Sequence, residues 1–373
     1  MDEPHRSSTP LELLFDLTFV VAVGLVAAQF AHAIEQGHAV RAVVTYLMVF
    51  FAIWWAWMNF TWFASGYDTD DVAYRIFTMV QMGGVLVLAA GVPAGFGHGD
   101  FRSITIGYLI MRAGLVALWI RAALEDPGNR RGPVRNAVGF SVVQVGWLLR
   151  LLLPAQLTVP SVLVLALLDM AVPLWAARAG AASWNARHIA ERYGLFTIIL
   201  LGESLLAATT AVQDALQSAG ANLALFVVAG CGLVVVFAMW WLYFLEPSGE
   251  GLERRPRLAY LWGYAHFGIF AALGALSAGL EFAVLETGHH LKVPDWTAGV
   301  AVALPVGIYL VLLWAVHAPL VAQATIRPAV MLAGAALVLL SPLATGFIGT
   351  TGVVVAVAAI CAAIVGVTVL RRR

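Results

Sequence analysis

Apolar runs of about 20 residues alternate with short polar breaks along nearly the whole chain. As a helix, a run of this length can span the ~30 Å hydrocarbon core of a bilayer. Asp, Asn, Gly and Pro residues, which favour turns, concentrate in the breaks. The pattern predicts an all-α fold, a polytopic transmembrane helical bundle of about twelve helices. The predicted helices occupy residues 11–35, 39–64, 72–95, 102–123, 134–153, 159–179, 189–212, 221–246, 257–285, 296–316, 326–345 and 348–370.

The positive charges sort onto two sides if consecutive helices cross the membrane in alternate directions. Sixteen of the 21 Lys and Arg residues then fall on one side and four on the other, while Arg112 lies inside a helix. Cytoplasmic loops of membrane proteins carry an excess of Lys and Arg. The sorting therefore predicts a multi-pass protein of the inner (plasma) membrane with both termini cytoplasmic. The sixteen residues are Arg6, Arg75, Arg121, Arg130, Arg131, Arg135, Arg178, Arg187, Arg192, Arg254, Arg255, Arg257, Arg327 and 371–373.

A weak internal repeat relates the two halves of the chain. The aromatic segment 54–60 resembles segment 240–244, and Ala-Tyr pairs follow each of them at 73–74 and 259–260. An even number of helices in each half would give the halves parallel topology, related by an axis along the membrane normal. This spacing predicts two six-helix repeats, residues 1–180 and 181–373. The alternative is that aromatic residues recur because they favour membrane interfaces.

The composition supports a membrane protein and excludes several other classes. Hydrophobic residues make up 61% of the chain and charged residues 11%, whereas soluble domains have roughly 25% charged residues. The net charge is zero and no basic stripe is present, so no nucleic-acid partner is expected. The two cysteines lie in apolar segments and indicate no disulfide framework. No nucleotide-binding loop or metal motif is found, so no cofactor and no metal are predicted.

Two polar-containing segments resemble the signatures of a known family. Segment 10–20 reads Pro-Leu-Glu-Leu-Leu-Phe-Asp-Leu-Thr-Phe-Val, and segment 188–204 reads His-Ile-Ala-Glu-Arg-Tyr-Gly-Leu-Phe-Thr-Ile-Ile-Leu-Leu-Gly-Glu-Ser. They resemble the E-L-F-F-D-L-x-F-V and H-x-x-E-R-x-G-L-F-x-I-I-x-L-G-E signatures of the bacterial low temperature requirement A proteins, with Leu14 where Phe is usual. The resemblance implies a bacterial multi-pass membrane protein. It implies no reaction, because that family takes its name from a growth phenotype.

Four of the charged residues within the predicted helices form the candidate ion, proton or substrate site: Asp16, Arg112, Asp169 and Glu203. A charge at the centre of a spanning helix costs about 2.5–3.5 kcal/mol on insertion scales. We therefore expect these residues to face the bundle interior and to pair, with Arg112 bridging Asp169, Glu203 or Asp16. The alternative is a purely structural role, in which the carboxylates are fixed by Arg112 or by a helix terminus.

Glu12 precedes Asp16 by one helical turn, which puts the two carboxylates on the same face of the first helix. Glu12 also follows Thr9 and Pro10, a typical helix start in which Thr9 is the N-cap. An acid in the first turn is favoured by the positive end of the helix dipole. Glu12 is therefore either part of the polar site or part of a helix terminus.

The remaining supporting polar residues are weaker candidates. His188 and Glu191 are three residues apart on one helix face, but a bundle metal site needs a second such pair and none is found. The sequence favours a helix start at the cytoplasmic surface for these residues and for Arg192. His266 lies among aromatic residues and is either a packed histidine or a proton relay. Arg150 lies toward the outer end of its helix and is expected to snorkel to the interface.

These features lead to three hypotheses of different classes. The first is a secondary permease, coupled to protons or cations, for an unidentified small solute. The second is a membrane-embedded enzyme acting on a lipid or another apolar substrate, with the same carboxylates as general acid or base. The third is a channel or a structural membrane component. The expected partners are the lipid bilayer, the small solute or ion, and, as a possibility left open, further copies of the chain.

Overall fold

The computed structural model describes residues 7–179, 184–218, 220–245, 248–288, 293–320 and 326–370. The regular structure of these residues is helical throughout, with no strand among them, as the apolar pattern predicts. The assignment of positive charges to the two sides includes Arg6, Lys292 and residues 371–373, and these lie outside the described residues. The predicted orientation therefore stays a prediction.

The described residues form thirteen α-helices joined by short loops and 3₁₀ turns. They are α1 (Pro10–Glu35), α2 (Ala39–Tyr67), α3 (Val72–His98), α4 (Arg102–Glu125), α5 (Arg131–Arg150), α6 (Thr158–Ala177), α7 (Ala186–Ser218), α8 (Leu223–Phe244), α9 (Ser248–Arg254), α10 (Ala259–Glu286), α11 (Trp296–His317), α12 (Pro328–Leu340) and α13 (Thr345–Leu370).

Ten segments of the described chain are long and apolar enough to cross a membrane. Helix α5, which carries the buried polar residues Asn136 and Gln144, is not among them. Helices α12 and α13 lie together in a single apolar segment, Pro328–Leu370, and α12 has only 13 residues. Helix α13 is itself kinked at Gly349, where φ is +67°, a conformation that favours glycine. An apolar bundle of many helices is therefore observed, while the count of twelve stays a prediction.

The chain divides into two compact units by its internal contacts. The first contains the described residues of Met1–Val26 and Leu47–Ile189. Within it α3 packs on α4, α4 on α5, and α5 on α6. Aromatic side chains fill its interior: the rings of Phe15 and Phe60 lie 3.9 Å apart between centroids. This unit holds both ends of the ion pair described below.

The second unit contains the described residues of Ala27–Tyr46 and Ala190–Arg373. Within it α10 packs on α11, α11 packs on α12 and α13, and α8 packs on α13. Its core includes a hydrogen bond from the hydroxyl of Tyr46 to the carbonyl of Ala271 at 2.7 Å. The six-plus-six division predicted from the repeat stays a prediction.

Small residues set the close approach of α3 and α4 in the first unit. A Cβ added at Gly84 would lie 2.7 Å from the carbonyl oxygen of Gly107 and 2.7 Å from Cγ of Met111. The neighbouring Gly83 has nothing within 4 Å of the same position. Helices in membranes pack closely where small residues line the contact, so Gly84 is required by packing and Gly83 is not.

We expect Gly84→Ala to lower the free energy of unfolding by about 1–3 kcal/mol, the usual cost of overpacking. The matched variant Gly83→Ala is expected to be neutral or slightly stabilising, because alanine is a better helix former than glycine. Denaturant unfolding of both purified variants in the same detergent measures the difference. Equal stabilities of the two variants would contradict the packing assignment.

Candidate functional site

A buried ion pair joins α4 and α6 in the first unit. Nη2 of Arg112 lies 3.6 Å from Oδ1 of Asp169, and both side chains are 2% exposed. The hydroxyl of Tyr108 accepts a hydrogen bond from Nη2 of Arg112 at 2.5 Å and donates one to Oδ2 of Asp169 at 2.9 Å. The indole N–H of Trp147 donates a second bond to the same oxygen at 2.8 Å. Of the acids proposed as partners of Arg112, the structure pairs it with Asp169.

The guanidinium of Arg112 is only partly satisfied. Its Nε and Nη1 have no hydrogen-bond acceptor among the described residues. The rings of Tyr108 and Phe140 lie 4.8 and 4.6 Å from the guanidinium carbon, in cation–π contact. A buried donor without an acceptor costs roughly 1–3 kcal/mol. An oxyanion at this point would supply the missing acceptors.

The face of α5 that contacts Arg112 through Phe140 carries further buried polar groups. Asn136, Phe140 and Gln144 follow one another at four-residue spacing and therefore share a face. Oδ1 of Asn136 and Nε2 of Gln144 have no hydrogen-bond partner among the described residues. These two buried atoms are exceptions, since most buried polar groups in proteins are hydrogen-bonded. They lie one turn to either side of Phe140, which contacts Arg112 of the ion pair.

Asp16 lies in the first unit with its carboxylate fixed by a tryptophan. The indole N–H of Trp57 donates to Oδ1 of Asp16 at 2.7 Å, and both side chains are buried. The flanking Phe15 packs on Phe60. The three signature positions Phe15, Asp16 and Phe19 are therefore interior positions of α1.

Glu12 and His188 bring the two signature segments into direct contact. Nε2 of His188 lies 3.1 Å from Oε1 and 3.3 Å from Oε2 of Glu12, and neither side chain is exposed. Glu12 also accepts a hydrogen bond from the backbone N–H of Thr9 at 2.8 Å, while the hydroxyl of Thr9 accepts one from the N–H of Glu12 at 3.3 Å. This reciprocal pair is a capping box. Glu12 therefore caps α1, as one interpretation expected, and also binds a buried histidine, while its membership of the polar site stays a prediction.

The surface location expected for the start of α7 is wrong for His188 and Arg192. His188 does lie in the first turn, where its backbone N–H bonds the side chain of Asn185 at 3.1 Å. Both His188 and Arg192 are fully buried, while Glu191 is exposed. The apolar context of the segment could have indicated this, because positions four apart share a helix face. No group of three or more His, Cys, Asp or Glu side chains that could hold a metal ion occurs among the described residues.

Glu203 belongs to the second unit and is buried in α7. The next residue, Ser204, is hydrogen-bonded through its hydroxyl to that of Ser277 on α10 at 2.7 Å. Three further carboxylates belong to this unit: Asp214 on α7, Glu281 on α10 and Glu35 at the end of α1.

His266 is hydrogen-bonded through both ring nitrogens. Its Nδ1 lies 2.8 Å from the carbonyl oxygen of Trp262, and its Nε2 lies 3.1 Å from the hydroxyl of Tyr243. Since a carbonyl can only accept, Nδ1 carries the hydrogen and Nε2 accepts from Tyr243 in the neutral ring. The ring of Tyr193 packs edge-on at 4.9 Å. His266 is therefore a packed, hydrogen-bonded histidine, and a proton relay through it stays a hypothesis.

The loop between α2 and α3 borders a cavity of the first unit that has a volume of about 210 Å³ and is open at the surface. Asp71 caps α3 by accepting from the N–H of Tyr74 at 2.9 Å and forms a salt bridge with Arg121 of α4. The guanidinium of Arg121 holds the pKa of Asp71 well below its usual range. The neighbouring Asp70 has its pKa lowered by Arg75 in the same way.

This lowered pKa gives a pH dependence with a defined sign. We expect Asp71→Asn to be less stable than the wild type at about pH 7. Because the folded-state pKa of Asp71 is depressed, its contribution is fully present above the unfolded-state pKa of about 3.9 and is lost as the pH falls further. Denaturant midpoints between about pH 7 and pH 2 measure this difference. Arg121→Gln should show the same pH dependence, and a difference that persists unchanged in acid would contradict the assignment.

Comparison with known proteins extends the resemblance over the chain. The family model of the bacterial low temperature requirement A protein (LtrA) matches residues 7–366. An uncharacterized protein of Rhizobium meliloti is 26% identical over 297 residues, which cover 75% of this chain and 70% of that protein. The region matched by the family model contains Glu12, Asp16, Arg112, Asp169 and Glu203.

Proposed function

Because this chain belongs to the bacterial low temperature requirement A family and is an integral membrane protein with many apolar helices, we propose that it is a secondary permease for a small anionic solute. Transport is coupled to protons or cations, since no nucleotide-binding loop is present in the sequence. In this proposal twelve helices cross the inner membrane as two parallel six-helix halves, 1–180 and 181–373, with both termini cytoplasmic. Self-association into a homo-oligomer is part of the same proposal.

The observation that carries the proposal is the incomplete satisfaction of Arg112. A strong guanidinium–carboxylate pair has N–O distances of about 2.7–2.9 Å and is frequently bidentate. Here the closest approach is 3.6 Å, and the hydroxyl of Tyr108 lies between the two groups. Two nitrogens of Arg112 have no acceptor among the described residues. Such an ion pair can form without solute, and its weak contact lets the guanidinium of Arg112 exchange the carboxylate of Asp169 for a solute anion.

The charges indicate how solute and proton would be coupled. When an anionic solute binds Arg112, Asp169 loses its neutralising partner in a buried site. An uncompensated buried carboxylate is costly and takes up a proton instead. One anion and one proton then enter the site together, and the net charge of the site is unchanged. Release of the proton and the anion on the other side restores the pair of Arg112 and Asp169.

The carboxylates of the second unit supply the second element of the proposal. Glu203 is buried, whereas Asp214, Glu281 and Glu35 of the same unit are more exposed. A row of acids can bind and pass protons or cations. We assign Glu203 as the coupling carboxylate of this unit, with Ser204 and Ser277 beside it. Asp16 and Glu12 hold the first helix through Trp57 and His188.

The test measures proton uptake and membrane potential in sealed vesicles that contain the purified protein. Organic and inorganic anions are added as separate classes. We expect one class to drive proton uptake, Arg112→Gln to reduce that flux at least about 30-fold, and Asp169→Asn to bind the anion without proton uptake. Arg102→Gln, which removes an exposed arginine of the same helix, should keep the flux. Glu203→Gln should lose it.

The other two classes of function give different results in the same vesicles. If Glu203→Gln and Asp16→Asn leave every solute flux unchanged in folded protein, the transport proposal fails. Chemical turnover of a lipid without any gradient would indicate an enzyme instead. Large currents that persist in Asp169→Asn would indicate a channel.

A further inference from the structure

Arg150, at the end of α5, is a buried cation that has no acidic partner among the described residues. Its side chain is 7% exposed, so the expected snorkelling to the interface is not observed. Its guanidinium makes no salt bridge or hydrogen bond within the described residues, and its Nε is buried without an acceptor. The rings of Phe101 and Trp147 lie 5.3 and 5.9 Å from the guanidinium carbon. Cation–π contacts of this kind offset only part of the cost of burying the charge.

The same guanidinium lines a cavity of the first unit that opens at the surface and has an enclosed volume of about 30 Å³. One part of the wall is aliphatic and one part is aromatic, and Met48 and Phe101 at its edge are only half-buried. Arg150, Phe101 and the start of α6 all lie at one end of the helices, whereas Ala52 and Tyr108 lie deeper. The wall is formed by Met48, Val49, Ala52, Phe101, Ile104, Thr105, Tyr108, Trp147, Arg150 and Val162.

From this arrangement we infer that the cavity is a binding site for an anionic phospholipid of the leaflet at that end. The phosphate lies against Arg150 and Thr105, and the beginning of an acyl chain lies along Val49, Ala52 and Val162. A guanidinium matches the geometry of a phosphate, with which it forms strong charge-assisted bonds. A water-soluble anion would gain nothing from the aliphatic wall, whereas a bilayer lipid carries both the anionic head and the chain. This inference does not rest on the transport proposal.

The site shares two walls with the buried ion pair. Tyr108 and Trp147 line the cavity, and both donate hydrogen bonds to Asp169. A lipid that fixes these two rings would also fix the two donors that hold the carboxylate. Binding in the cavity is therefore coupled to the geometry of Arg112 and Asp169.

Native mass spectrometry of the delipidated full-length protein tests the inference directly. Phosphatidylglycerol is the anionic probe and phosphatidylcholine the zwitterionic control. We expect one tightly bound phosphatidylglycerol per chain, with binding about tenfold weaker or worse in Arg150→Leu. Arg102→Leu, which removes an exposed arginine at the same end, should bind like the wild type. Ala52→Phe, which fills the aliphatic part and keeps Arg150, should weaken binding as well.

Thermal unfolding supplies a readout that a structural role would not move. Without lipid, Arg150→Leu should unfold at or above the wild-type temperature, because it removes an uncompensated buried charge. Phosphatidylglycerol should raise the unfolding temperature of the wild type and not that of the variant. Equal binding of the two lipids, wild-type binding by both Arg150→Leu and Ala52→Phe, or equal protection by a fatty acid or by inorganic phosphate would overturn the inference.

Discussion

Asp169→Ala is expected to lower the free energy of unfolding by about 3–5 kcal/mol, because it leaves the guanidinium of Arg112 buried without its counter-ion. It also removes the acceptor of the hydrogen bonds from Tyr108 and Trp147. The loss is comparable to a large part of the stability of a typical domain. Denaturant titration in detergent micelles, followed by circular dichroism, measures it.

The double variant Arg112→Leu with Asp169→Leu is the control for this prediction. Replacing a whole buried pair by apolar residues is often neutral or stabilising, so we expect the double variant to be much more stable than Asp169→Ala. It should nevertheless lose the solute-dependent proton flux. A double variant that transports like the wild type would show that the pair is structural, and an unchanged stability of Asp169→Ala would show that the pair is not formed.

Glu12→Ala is expected to lower the free energy of unfolding by about 2–4 kcal/mol. About 1 kcal/mol of this is the loss of the capping box with Thr9, and the rest is the loss of the buried contact with His188. Glu12→Gln should cost less, since its amide oxygen can still accept from the backbone of Thr9. Glu35→Gln, at a half-exposed position at the other end of α1, should change the stability by no more than about 0.5 kcal/mol. Denaturant titration of the three variants in one detergent measures these differences. Similar losses in Glu12→Ala and Glu35→Gln would contradict a special role for the signature residue.

The sequence predicted the helices well because bilayer thickness fixes the length of an apolar run. The same pattern predicted that Arg112 would pair with an acid, since a lone charge at that depth is too costly. It could not select Asp169 over Asp16 or Glu203, because partner choice depends on which helices pack together. The sequence placed a helix boundary between residues 345 and 348, whereas α13 begins at Thr345 and is kinked at Gly349. A glycine kink interrupts the geometry of a helix without interrupting its hydrophobicity.

Two side chains show that position along a helix does not by itself predict whether a residue is buried. His188 and Arg150 both lie near helix ends, and the sequence indicated surface locations for both. The structure buries His188 against Glu12, which is 176 residues away in the chain, and buries Arg150 among Phe101 and Trp147. Glu12 and Phe101 come from distant parts of the chain, and no local pattern records those contacts, whereas Trp147 lies one turn before Arg150 on α5. For the pair of Glu12 and His188, the available signal was that each residue is a polar position of one of the two signature segments.

The contact between Glu12 and His188 has a consequence for biogenesis. The ribosome completes α1 long before α7: His188 follows Glu12 by 176 positions, which take roughly 9–35 s to synthesise at typical elongation rates. During that interval the nascent first helix lacks the histidine that later covers its carboxylate. A chain that ends before α7 therefore lacks this buried partner of Glu12, and the contact can form only after the second signature has been synthesised.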